Sequence, residues 1–187
     1  YLRHISHMGK LTLHGEIEPH FMETLHGRKP LKVLSVEKAK LANNSDSSVL
    51  VARLAADEAL IVTPPNEALS FVPRSGYSEN SYFHVIDATS TMAGFKIAGP
   101  AAQQLLARIT AMDISTENFI NKTCAQGSIA DIHGILLRLD LGPIPSYDIY
   151  IDRGYARYVW DVLIEEGQTL SLSPFGNDVL SLLEQDS

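Results

Sequence analysis

The chain has 187 residues, 45% of them apolar and 20% charged, and 22 acidic against 15 basic side chains give a formal net charge of −7. That length supports one large domain or two small, closely packed ones, and an acidic balance without any Lys/Arg run argues against a nucleic-acid partner. A single cysteine, Cys124, forbids an internal disulfide and fits a reducing cytoplasm; no apolar run reaches membrane-spanning length and no signal-peptide pattern follows Tyr1.

The first element predicted is a strand in Ser6-His-Met-Gly-Lys-Leu-Thr-Leu-His-Gly15, where Leu11 and Leu13 alternate with polar neighbours. Pro19 opens a short helix that Gly27 stops. Asn43-Asn-Ser-Asp-Ser-Ser48 is a turn-forming cluster. Two strands follow, Val49-Leu-Val-Ala-Arg-Leu54 and Ala59-Leu-Ile-Val62, and then a short segment, residues 66–72, between Pro64-Pro65 and Pro73. Residues 73–84 have the composition of a linker.

Beyond it, Phe95 and Ile97 alternate with Lys96 in a strand predicted to be half-buried. Gly99-Pro100 then starts a helix, because Pro fits the first helical position, where no N–H is needed. Ala102, Leu105, Leu106 and Ile109 fall on one face of that helix. Gly134-Ile-Leu-Leu-Arg-Leu139 and Asp148-Ile-Tyr-Ile151 are the next two strands predicted. Asp152 caps a helix with Ala156, Val159, Trp160 and Leu163 inward and Gly167 at its end, and a last helix covers residues 177–184.

These elements repeat in order. Ser6, Met8 and Gly15 match Ser90, Met92 and Gly99 at one offset, with Leu11 and Leu13 against Phe95 and Ile97. Arg53 falls against Arg138, and Ala59–Val62 against Asp148–Ile151. The pattern points to duplication, with residues 1–72 as one repeat, 73–84 as the linker and 85–187 as the second repeat. The fold class expected is α+β, with two strand-helix-strand-strand(-helix) halves, antiparallel or mixed sheets and helices packed outside.

Few side chains offer chemistry. Arg138 has the planar fork that grips a carboxylate, but an isolated strand Arg more often pairs with a neighbouring acid. Asp46 could stabilise a cationic iminium, although its turn setting explains it without chemistry. Five histidines gather near the N-terminus without metal-ligand spacing. Cys124 has no base beside it in sequence and reads as a small buried hydrophobe. Tyr155, Tyr158 and Trp160 offer aromatic surface to a partner, Trp160 being placed inward. No Gly-x-Gly-x-x-Gly turn marks a dinucleotide site.

The opening Ser6-His-Met-Gly-Lys10, the turn Ile97-Ala-Gly-Pro-Ala-Ala102 and the closing Ser173-Pro-Phe-Gly-Asn-Asp-Val-Leu180 resemble the ordered motifs of glycine cleavage T-proteins, the folate-binding aminomethyltransferases. Cys124-Ala-Gln and the run from Ser146 to Leu163 look most like the γ subunits of heterotetrameric sarcosine oxidases. The resemblance implies a fold able to hold tetrahydrofolate and, in active members, to pass it a one-carbon unit. It also implies Arg138 and Asp148 as ligand-binding positions.

Departures from the family pattern limit the carry-over. Ser47-Ser48 stands where active members have an acidic pair, with Asp46 one position early. Asp148 takes the place of the final Glu of the family loop, Ile144 stands where its folate-binding Glu would be, and Asn177 replaces an Arg. The function expected is therefore an accessory, cytoplasmic subunit beside a flavin-containing oxidase or dehydrogenase. The alternatives are a small folate-dependent aminomethyltransferase, with Asp46 and Arg138 in its cleft, and a stand-alone folate-binding protein.

Overall fold

The computed structural model describes residues 1–17, 31–40, 48–68 and 82–176. The predicted helix at Pro19–Gly27, the candidate Asp46 and the closing helix at 177–184 lie outside the described residues. Within them, the first part of the chain forms β1 (Leu2–His4), β2 (Gly9–Gly15), β3 (Ser35–Lys40), β4 (Ser48–Arg53), β5 (Glu58–Thr63) and β6 (Phe83–Asp87). The second part forms β7 (Met92–Ala98), α1 (Ala102–Ile109), β8 (Thr123–Ile129), β9 (Ile132–Arg138), β10 (Ser146–Asp152) and α2 (Ala156–Gly167).

These elements divide into two compact units, one of His7–Ser90 and one of Tyr1–Ser6 with Thr91–Ser187. In the first, the strand order is β6-β2-β5-β4-β3, and in the second β1-β7-β10-β9-β8. Every strand pair within either unit is antiparallel. The duplication is visible in these orders, since β2, β5, β4 and β3 stand where β7, β10, β9 and β8 stand. The outer strands are exchanged along the chain. β1 precedes β2 but completes the sheet of β7, while β6 precedes β7 but completes the sheet of β2.

Three features differ from the sequence-based expectation. β3 and β8 were not foreseen, because Ser35–Lys40 and Thr123–Ile129 mix small, polar and glycine residues without alternation. Phe83 and His84, placed by composition in a linker, open β6. The third is a register. Leu11 pairs with Ile61 and Phe95 pairs with Ile149. Ala59 therefore corresponds to Tyr147, one residue away from the Asp148 expected, and a one-residue shift exchanges the two faces of a strand.

Where periodicity was clear, the elements formed as expected. Ala102, Leu105, Leu106 and Ile109 are all buried on α1, which opens with the Ala102 N–H donating to the Gly99 carbonyl at 3.0 Å. Asp152 caps not α2 itself but the single 3₁₀ turn before it, accepting from the Gly154 N–H at 2.7 Å. Val159 and Leu163 of α2 are fully buried, and Ala156 and Trp160 pack beside them. One face of the second sheet, carrying Leu2, Phe95, Ile97, Leu136, Tyr147 and Ile149, joins these helices in a single core. A separate core in the first unit gathers Leu11, Leu13, Val51, Ile61 and Phe83.

Candidate functional site

Cross-strand register places the polar residues of the second unit on two opposite faces of one sheet. On the face shared with the core, Leu2, Ile97, Tyr147, Arg138 and Thr123 form one row across the five strands. On the other face the adjacent row is Arg3, Lys96, Asp148, Leu137 and Cys124. Arg138 and Asp148, the two ligand-binding positions taken from the resemblance, thus point to opposite sides of the sheet. They do not share a site.

Arg138 is spent internally. Its Nε and Nη2 donate to the two oxygens of Asp140, each at 3.0 Å, and its Nη1 donates to the Phe119 carbonyl at 2.6 Å. The hydrogen-bonded fork to Asp140, and after it the charges of Tyr147 and Asp140, raise its already high pKa against the opposing effect of burial. Its guanidinium also lies 5.6 Å from the Tyr147 ring centre, and Phe119 stacks on the far partner of that contact, 6.4 Å between ring centres. Asp140 further accepts from the Ser146 N–H at 3.2 Å, so the fork ties off the connection between β9 and β10. This is the pairing with a neighbouring acid that isolated strand arginines favour. In the other repeat, Arg53 occupies the same position and donates to the carbonyls of Ala55 and Ala56.

The opposite face carries a buried ion pair. Lys96 Nζ lies 2.5 Å from Asp148 Oδ1, with side-chain exposures of only 12% and 4%. The strand around Phe95 was expected to be half-buried with Lys96 outward, but both of its faces are covered. Two residues along β10, Tyr150 is fully buried, and Ser146 is buried two residues the other way. Neither hydroxyl makes a well-formed hydrogen bond with the protein. Tyr150 nonetheless lies close enough to Asp148 that burial first, and then that carboxylate, push its ionisation well above the ordinary phenol range. Leu137 and Ile135 form an apolar flank, and Cys124 is buried with its thiol pushed up to about 12 by desolvation.

Sequence reasoning missed Lys96 and Tyr150 as participants. The signal for Lys96 was present in the Phe95-Lys96-Ile97 alternation, which sets it opposite the core. Its carboxylate partner depends on the pairing of β7 with β10, which is not local. Ile144 closes a tight turn with Leu141 through two reciprocal backbone hydrogen bonds of 2.9 Å. It offers no polar group there. Among the described residues, no group of three metal-ligating side chains converges, and no helix is long and apolar enough to cross a membrane.

Comparison with known proteins agrees with this architecture. The family model of the GCVT N-terminal domain matches residues 2–186. An aminomethyltransferase of Thermoanaerobacter sp. (strain X514) is 24% identical over 92% of this chain and 48% of its own length. The sarcosine oxidase subunit alpha of Rhizobium meliloti (strain 1021) is 31% identical over 51% of this chain and 10% of its own length. A 4-methylaminobutanoate oxidase (formaldehyde-forming) of Paenarthrobacter nicotinovorans is 29% identical over 73% of this chain and 17% of its own length.

The chain thus spans about half the length of the aminomethyltransferase, and much less of the two oxidase chains. Among solved structures, the aminomethyltransferase T of Bartonella henselae superposes with a TM-score of 0.73 at 16% identity, over 99% of this chain and 48% of that one. A heterotetrameric sarcosine oxidase chain of Corynebacterium sp. U-96, in complex with pyrrole 2-carboxylate, superposes at 0.69 with 19% identity, over 94% of this chain and 87% of that one. On these grounds the chain belongs to the GCVT N-terminal domain family.

Proposed function

We propose that this chain is an accessory, T-protein-like subunit, resembling the γ subunit of a heterotetrameric sarcosine oxidase. It works in the cytoplasm beside a flavin-carrying amine oxidase or dehydrogenase and supports one-carbon chemistry there. Its family typically binds tetrahydrofolate. The described residues do not fit a bound pterin, which needs a carboxylate free to accept its ring N–H groups. The Asp148 carboxylate is held by Lys96, the Arg138 fork by Asp140, and Ile144 supplies no acceptor.

The engagement of Asp148 by Lys96 is the observation that carries the reading. A ligand would have to displace a tethered ammonium from a buried carboxylate, which loses the specificity such a contact provides elsewhere. The test is affinity capture from the source cells with flavin absorbance recorded, together with tetrahydrofolate titration of the isolated chain. The expected outcome is a co-purifying flavin-containing chain and no saturation at micromolar folate.

The alignment over nearly the whole chain with aminomethyltransferases favours a second reading, a small folate-dependent aminomethyltransferase. Saturable folate binding that weakens in both Asp46→Ala and Arg138→Ala supports it over the accessory role. Loss in Arg138→Ala alone favours a folate holder without transfer activity.

A further inference from the structure

We propose that β6 is a docking edge for a second copy of this chain, the two β6 strands pairing antiparallel about a two-fold axis at Ile86. The inference goes beyond the accessory reading, and the internal repeat carries it. β6 is the terminal strand of its sheet order, with β2 on its inner side. The Tyr82 carbonyl accepts from the Glu16 N–H at 2.7 Å, and the Ala88 N–H donates to the Lys10 carbonyl at 2.9 Å. By the alternation of an antiparallel pair, Val85 and Asp87 between them turn their backbone groups outward.

The second unit shows what such groups do when a strand reaches them. β1 pairs with β7 as β6 pairs with β2, and because Leu13 corresponds to Ile97, Val85 corresponds to Leu2. The outward N–H of Leu2 donates to the Ser173 carbonyl and its C=O accepts from the Phe175 N–H, each at 3.0 Å. The equivalent pair on Val85 has no such bond among the described residues.

An unpaired edge is a template for another strand, and proteins that stay single blunt it with lysine, proline or a bulge. Phe83–Asp87 has neither lysine nor proline, and its register with β2 runs without a bulge. The edge also fits itself, as a two-fold interface requires. With the axis at Ile86, each Val85 stands opposite Asp87 of the other copy, and the two exchange both backbone bonds. Ile86, 53% exposed, meets its own copy in the close, non-hydrogen-bonded position, where facing side chains stand nearest. The His84 ring, edge-on to Tyr82 at 4.9 Å, lies diagonally beside it on the same face. Asp87 falls opposite a valine, so no carboxylate faces another directly. An edge of 5 residues buries less than the roughly 1,200 Å² of a stable interface, which makes the association weak and reversible.

Sedimentation of the full chain across concentration reads the pairing. The mass should rise from 20.5 kDa toward twice that value between about 1 μM and 1 mM. Ile86→Lys and Ile86→Glu each set like charges face to face on the axis and should weaken association by about tenfold or more. Mixing the two variants in equal amounts should restore it, because the mixed pair sets Lys against Glu. The exposed position of Ile86 spares the fold, which thermal melts verify. Val85→Pro removes an outward N–H that β2 does not use and should also weaken the pairing.

A wild-type chain that stays at 20.5 kDa throughout overturns the proposal, as does undiminished association of a folded Ile86→Lys variant. Failure of the mixture to associate overturns the axis at Ile86. A monomeric chain whose Val85→Pro variant loses a flavin-containing partner in the capture experiment assigns the edge to an unlike strand, and the second copy is then the wrong occupant.

Discussion

Arg53 and Arg138 do equivalent work in the two repeats, each using its guanidinium to tie off the connection that follows its strand. Arg53 satisfies two backbone carbonyls, whereas Arg138 satisfies a carboxylate and a carbonyl. Removing a buried partner leaves the other side unsatisfied, which costs more than the bond itself contributes. Arg138→Ala should therefore lose about 2–4 kcal/mol in urea denaturation, because it strands Asp140. Arg53→Ala should lose only about 1–2 kcal/mol, because neutral carbonyls are left behind. Equal losses at the two positions would contradict that assignment.

Cys124 makes a prediction in pH. With no exposed surface, its thiol is pushed up to about 12 from the ordinary 9.0. The folded state therefore holds its proton longer than the unfolded chain does. The contribution is fully present below pH 9.0, and it declines as pH rises from there toward about 12. In that window wild type should lose about 1.4 kcal/mol more per pH unit than Cys124→Ala, compared by denaturation at pH 8 and 10.5. Using the difference between the two proteins cancels the tyrosines, since burial also raises Tyr147 and Tyr150. The burial of Cys124 was legible in the sequence as the default for a lone cysteine. Its position in the row of Asp148 was not.

The glycine that closes β2 and its counterpart after β7 are the most legible feature, because geometry demands glycine there. Gly15 at the end of β2 and Gly99 just after β7 have φ of +107° and +130°, a region that side chains rarely adopt. They occupy the positions that sequence matching had already paired. Their surroundings differ. A Cβ on Gly15 would lie 1.9 Å from the Tyr82 carbonyl oxygen, whereas the nearest atom to one on Gly99 is 3.9 Å away. Gly99→Ala should cost about 1–2 kcal/mol from backbone strain alone. Gly15→Ala must also displace backbone and should cost several times that, to the point of unfolding the first unit in a thermal melt. β3 and β8 went unread for the opposite reason, as neither has a side-chain pattern that excludes a loop.

At the scale of the whole molecule, the exchange of edge strands makes the two units unequal as pieces of chain. All five strands of the first unit, β2 to β6, fall within the continuous stretch His7–Ser90. The second unit, cut out as Thr91–Ser187, lacks β1, whose Leu2 is fully buried and bonded to Ser173 and Phe175. Residues 7–90 should therefore fold alone, with a cooperative melt. Residues 91–187 should remain loosely packed by near-ultraviolet circular dichroism until a peptide of residues 1–8 is added. A cooperative melt of 91–187 without the peptide would show that β1 is dispensable.

By itself, the sequence determined the duplication, the corner glycines, α1 and α2 with their buried faces, and the family resemblance, since each is written in local spacing. Only the tertiary structure decided which strand completes which sheet and which face each polar residue occupies. The reason lies in burial. Tyr147 to Ile151 of β10 and Ala59 to Thr63 of β5 are buried on both faces, so their residues do not alternate between apolar and polar. Without alternation a one-residue slip leaves no trace in the sequence, and that slip decides whether Asp148 meets Arg138 or Lys96.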